Sequence, residues 1–229
     1  MFFYNLFLYI LSPFILIRLI VYTIRNSAGS VYLFNKLFGT KNLNKKSLWI
    51  HAASIGEMKI AIEVSRELIK IGHKDIFITS NTPTSKILFE NSKLENITHC
   101  YLPVDFYFIT KKFVKMVSPK LLIVIETEIW PNLYNLCEKN DTKILIINAR
   151  FNTPKGILGI LSNKIYKGTL NKVTHIYCKS KTDENSYLKY VNQDKVSNLG
   201  NIKYSLIKED HNIERIIDKK YILLLPLII

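Results

Sequence analysis

A chain of 229 residues can hold one large domain or two small ones, and a 48% hydrophobic content is enough to build a substantial core. Its formal net charge of +14 favours an anionic partner such as acidic lipid or a phosphorylated substrate, although drift towards lysine would give the same excess. No basic helix with aromatic platforms and no zinc-finger spacing occurs, so nucleic acid is not expected as a partner. The cysteines Cys100, Cys137 and Cys178 form no CxxC pair and the five histidines show no ligand spacing, so no metal site, no cofactor and no disulfide framework is expected. Thiols of a reducing compartment account for them most simply.

From Phe2 to Ile24 the chain is almost wholly apolar, interrupted by Asn5, Ser12, Pro13, Arg18 and Thr23. That length can span a bilayer as a helix. Pro13 and Arg18 interrupt a clean span, so a helix lying in the interface is a second account. A helix packed on its own domain is a third. No small-residue cleavage site of the signal-peptide kind is evident. Arg25, Lys36, Lys41, Lys45 and Lys46 follow the apolar run, which places the next domain on the cytoplasmic side. Residues 1–24 are therefore expected to be a membrane anchor. Residues 25–47 read as a polar linker with a docking turn around Val31 to Phe34.

After that, strand and helix signals alternate. Strands are predicted at Leu48 to Ala53, Asp75 to Ser80, Thr98 to Leu102, Lys120 to Ile125, Lys143 to Ile147, Thr174 to Cys178 and Val196 to Leu199. Helices are predicted from Glu57 to Ile71, from Pro103-Val-Asp105 to about Val117, from Ile129 to Lys139, from Asn163 to Leu170 and from Thr182 to Tyr190, with another helix start after Asn81-Thr-Pro-Thr84. Strands separated by helices imply an α/β fold, a Rossmann-like domain with a parallel sheet. The continuously apolar run into Ile125 fits a strand covered on both faces. No GxGxxG and no P-loop is present. The stretch Asp210 to Lys220 is polar, and Tyr221 to Ile229 looks like the start of a further buried strand.

Two motifs bear chemistry. Trp49-Ile-His-Ala-Ala-Ser-Ile-Gly-Glu57 runs from a strand through a tight turn to a carboxylate at a helix start. Glu126-Thr-Glu-Ile-Trp-Pro-Asn132 follows the strand that ends at Ile125. Ligands of open α/β sheets bind at the carboxyl ends of the strands, so these acids are site candidates. Each also has a plain structural account. Ser54-x-x-Glu57 is a capping box, and acids with Pro131 suit a first helical turn.

These two motifs resemble the 3-deoxy-D-manno-octulosonic acid (Kdo) transferase family, together with Thr79-Ser-Asn-Thr-Pro-Thr84, Tyr101-Leu-Pro-Val-Asp105, Pro119-Lys-Leu, Asn148-Ala-Arg150 and Gly200-Asn-Ile-Lys203. The resemblance covers most of residues 1–205. It implies the N-terminal half of a two-domain GT-B glycosyltransferase of lipopolysaccharide assembly, on the cytoplasmic side of the inner membrane. It implies transfer of Kdo from the donor CMP-Kdo to a lipid A precursor. Carried over by residue, Glu57 matches the general base, and Glu126 and Lys203 match residues that stabilise the transition state. The implied layout is an anchor at 1–24, a linker at 25–47, an acceptor domain at 48–207 and the start of a second domain at 208–229. The family's donor site lies mainly in that second domain. The sequence is therefore expected to be inactive alone or to need a separate chain for the donor half. The alternative expectation is a non-catalytic, membrane-bound, lipid-binding fragment. The family's Arg-rich stretch after the anchor is reduced here to Val31 to Lys36.

Overall fold

A computed structural model describes residues 1–40, 48–151 and 157–202, the last segment with side chains from Asn163 onward. Helices α1 (Phe2–Ile10), α2 (Ser12–Arg25) and α3 (Gly29–Phe38) precede an alternation of strands and helices. In order these are β1 (Leu48–Ala52), α4 (Ile55–Lys70), β2 (Ile76–Ser80), α5 (Pro83–Asn91), β3 (Thr98–Tyr101), α6 (Tyr107–Val117), β4 (Leu121–Ile125) and α7 (Pro131–Glu138). Then come β5 (Lys143–Ala149), α8 (Ile157–Leu170), β6 (His175–Cys178), α9 (Lys181–Tyr187) and β7 (Val196–Asn198). The strands form one sheet of order β3-β2-β1-β4-β5-β6-β7, and every pairing is parallel.

The strand pattern explains why the sheet is covered on both faces. All five residues of β1, β2 and β4 are buried. Alternate side chains of β1 go to opposite sides. Trp49 joins Phe77, Phe113, Val124 and Leu133 in one core, while Leu48 and Ile50 join Met58, Leu68, Ile78 and Ile123 in the other. Trp49 meets the Phe113 ring edge-on at 5.4 Å, and its Nε1 donates to Thr79 Oγ1 at 2.8 Å. His51, on the Trp49 side, lies with Nδ1 2.9 Å from the same hydroxyl. Burial pushes its pKa down to about 3, so it is a neutral core residue.

The apolar N-terminal run folds as two helices rather than one. α1 and α2 are bent by 58° about Leu11, where Ser12 and Pro13 open α2. Pro13 lacks the amide needed to continue the first helix. No single described helix is long and apolar enough to cross a membrane, though this bent pair passes together on length and composition. The pair touches the domain through polar and aromatic contacts. Tyr4 Oη donates to Asp105 Oδ2 at 3.0 Å, Asn132 Nδ2 donates to Asn5 Oδ1 at 2.7 Å, and Tyr9 stacks on Phe106 at 5.5 Å. Its other side leaves Phe3 81% and Phe14 71% exposed.

Some local readings differ from the structure. The expected linker contains a helix, α3. Tyr32, Asn35 and Lys36 recur at helical spacing and bury one face, and Asn35 Oδ1 accepts the Tyr101 amide of edge strand β3 at 3.3 Å. The helix expected to open at Pro103 begins at Tyr107 instead. Asp105 is spent elsewhere: its two oxygens accept the amides of Asn132 and Leu133 at 2.8 and 2.9 Å. It thus caps α7, a helix 26 positions further on, counted from Asp105 to Pro131.

Candidate functional site

The chain runs outward from β1 to β2 and β3, and then returns past β1 to β4. The carboxyl ends of the adjacent strands β1 and β4 therefore flank a topological switch point, where the two following loops diverge and leave a crevice. One of those loops leads to Glu57 and the other carries Glu126 and Glu128.

After β1, Ser54 takes an extended conformation and caps α4, with its Oγ accepting the Glu57 amide at 3.4 Å. The Glu57 carboxylate turns back over the helix start. Oε2 accepts the Ala53 amide at 2.7 Å and Oε1 accepts the Ser54 hydroxyl at 2.8 Å. The capping box is real, and it keeps the carboxylate buried rather than in solvent, with Glu57 8% exposed. Burial raises its pKa, the Ser54 and Ala53 hydrogen bonds oppose that rise, and the negative charge of Glu126 adds to it. A buried carboxyl whose pKa is raised is a stronger proton acceptor than a solvated one.

After β4, the Glu126 amide bonds the Ile147 carbonyl at 2.9 Å, and then the chain turns with Glu126 at φ +61°. A left-handed glutamate is uncommon and costs on the order of 1–3 kcal/mol. Asn148, near the end of β5, is also left-handed at φ +53°, and its Oδ1 accepts the Ile202 amide at 3.2 Å. The predicted site residue Lys203 lies outside the described residues. Glu57 and Glu126 are thus brought to one end of the sheet, on neighbouring loops.

Three further residues belong to this region. Glu128 has its pKa raised to about 7, first by burial and then by Glu57, while the Trp130 indole and Lys36 favour its ionised form. Its backbone carbonyl accepts the Tyr134 hydroxyl at 2.6 Å. Lys36, buried on α3, donates from Nζ to Asn81 Oδ1 at 2.6 Å, and burial pulls its pKa down to about 7. Asp105 fixes the start of α7, directly after the acidic loop. The helical recurrence of Tyr32, Asn35 and Lys36 was the available signal for the lysine. Glu128 stood in the quoted motif but carried no mark distinguishing it from Glu126. Among the described residues no group of three or more His, Cys, Asp or Glu side chains is placed to hold a metal ion.

Comparison with known proteins matches this sequence to a family. The family model described as 3-deoxy-D-manno-octulosonic-acid transferase (kdotransferase) matches residues 32–206. A 3-deoxy-D-manno-octulosonic acid transferase of Rickettsia typhi is 34% identical over 188 residues, 81% of this chain and 39% of the relative. One from Haemophilus influenzae is 31% identical over 75% of this chain and 40% of the relative. A bifunctional glycosyltransferase/methyltransferase of Fusobacterium nucleatum is 27% identical over 74% of this chain and 27% of the relative. The chain therefore spans two fifths or less of the length of these curated relatives. The matched segment includes both acidic loops and the whole parallel sheet, and the chain belongs to the 3-deoxy-D-manno-octulosonic-acid transferase family.

Proposed function

We propose that this chain forms the acceptor-side half of an enzyme that transfers Kdo from CMP-Kdo to a hydroxyl of the lipid A precursor, at the cytoplasmic face of the inner membrane. The observation that carries the proposal is the placement of Glu57 and Glu126 on the two loops that flank the switch point. Glu57 takes the proton of the acceptor hydroxyl as the oxygen forms its bond to the anomeric carbon of Kdo. The bond from that carbon to the CMP phosphate breaks, and CMP departs with the electron pair. Glu126 stabilises the cationic character of the sugar in the transition state, and Lys203 the negative charge on the departing phosphate. The exposed apolar side of α1 and α2 lies in the membrane interface, which keeps the crevice near its lipid acceptor.

In this reading the donor nucleotide is held mainly by a second domain beyond the parallel sheet. The test has two arms. Residues 1–229 should bind vesicles carrying the lipid A precursor and show no CMP-Kdo binding by calorimetry. Joined to the remaining length of the Rickettsia typhi relative, they should transfer labelled Kdo. Acceptor binding with no transfer in the fusion would favour a non-catalytic lipid-binding fragment. Micromolar CMP-Kdo binding by residues 1–229 would overturn the assignment of this half to the acceptor.

A further inference from the structure

Lys36 is a buried ammonium on α3, only 7% exposed. Burying a cation is costly unless it is paired and hydrogen-bonded. Groups from five elements surround this one: Tyr32 on its own helix with the ring centroid 5.8 Å away, Asn81 after β2, His51 on β1, Cys100 on β3 and Glu128 after β4. Of these, Glu128 supplies the carboxylate that favours its charge.

Hydrogen bonds lead from Lys36 to the proposed base. Nζ donates to Asn81 Oδ1 at 2.6 Å, the Asn81 amide donates to the Ala53 carbonyl at 3.2 Å, and the Ala53 amide donates to Glu57 Oε2 at 2.7 Å. The other end of Lys36 is fixed as well, because its carbonyl accepts the Val104 amide at 2.9 Å. We propose that Lys36 is a positioning residue of this site, tying the Ala53–Glu57 turn to α3 through Asn81. This rests on the reading of Glu57 given above only for the chemistry it serves. The hydrogen-bonded path stands independently of any substrate.

The test uses the 229-residue chain in detergent micelles, with carbon-13 at the glutamate carboxyls. It reads the Glu57 titration midpoint directly and needs no transfer assay. The Ala53 amide on Oε2 favours the ionised Glu57, so loosening this turn should move the Glu57 midpoint to higher pH. Lys36→Met should move it so, and should also shift the amide resonances of Ala53 and Glu57. Asn81→Leu breaks the same path with the lysine charge kept, should raise the midpoint as well, and carries the test where Lys36→Met does not fold. A folded Lys36→Met chain with an unmoved Glu57 midpoint would overturn the proposal, and so would an unmoved midpoint in Asn81→Leu. Observing both shifts in a chain whose fusion transfers no Kdo would leave the positioning role of Lys36 standing while removing the function proposed above.

Discussion

Glu57 does two jobs that one substitution can separate. Its carboxylate closes a capping box, and it is the proposed base. Glutamine keeps the size of the side chain. With its carbonyl oxygen on the Ala53 amide and its NH2 group towards Ser54 Oγ, which can accept, Glu57→Gln retains both contacts in weaker form. The cost in stability is then about 1 kcal/mol, the scale of a helix cap. For a domain of this size that lowers Tm by roughly 2–4 °C. Loss of a general base instead slows transfer by about 10²- to 10⁴-fold, or about 3–5 kcal/mol of barrier. The assay pairs thermal unfolding of the chain with Kdo transfer by the fusion. Turnover within tenfold of the parent, in a variant that keeps its fold, would refute the base assignment. Ser54→Ala supplies the control. It removes a hydrogen bond that favours the ionised Glu57, so the acid limb of the rate profile should move to higher pH while the base remains.

Asp105→Ala should cost about 3 kcal/mol in chemical denaturation, since the buried amides of Asn132 and Leu133 lose their acceptor. Tyr4→Phe should cost about 1 kcal/mol, and the double variant should be non-additive by more than about 0.5 kcal/mol because the two residues share a hydrogen bond. Glu128 sets a pH signature: the folded chain binds its proton more tightly than the unfolded chain does. Its stabilising contribution is complete below the unfolded value of 4.5 and is lost as pH rises through about 7. The parent should therefore lose stability relative to Glu128→Gln across that window, and a constant difference would contradict the burial of this group. Replacing the exposed Phe3 and Phe14 by aspartate leaves the Tyr4 and Asn5 contacts intact. It should weaken sedimentation with anionic vesicles more than 100-fold, as two aromatic side chains are worth roughly 3 kcal/mol or more in the interface; unchanged sedimentation would remove α1 and α2 as the anchor.

The sheet was legible in the sequence because its strands are short apolar runs separated by helices with clear starts. Leu121 to Ile125 fits a strand covered on both faces, and Ser54 with Glu57 announces the helix after β1. What could not be read is the use of polar residues over long sequence distances. Asp105 comes two positions after a proline and precedes an amphipathic run, which is a normal helix opening, yet it caps α7, which shares a core with α6. Lys36 follows an aromatic patch in a polar stretch, and composition alone treats such a lysine as solvated. Its burial depends on Asn81, 45 positions away. Pro131 signals the first turn of α7, and the helix begins there and not at Ile129.

These long-range contacts connect the apolar N-terminal helices with the acidic crevice. Tyr4 and Asn5 of α1 reach Asp105 and Asn132, and Asp105 in turn holds the first amides of α7. The segment immediately before α7 is the loop from Glu126 to Trp130, pinned at its middle by Tyr134 Oη on the Glu128 carbonyl. α3 adds a second brace, with Lys36 bonded to Asn81 and, through it, to the turn that carries Glu57. Both carboxylate loops are therefore braced by helices that precede the first strand. A parallel sheet alone positions its loops only as well as the loops position themselves, and a buried acid with a raised pKa needs more restraint than that. Segments outside the sheet supply it here, which is why substitutions at Asp105 or Lys36 should disturb the crevice although neither residue is placed to touch a reacting atom.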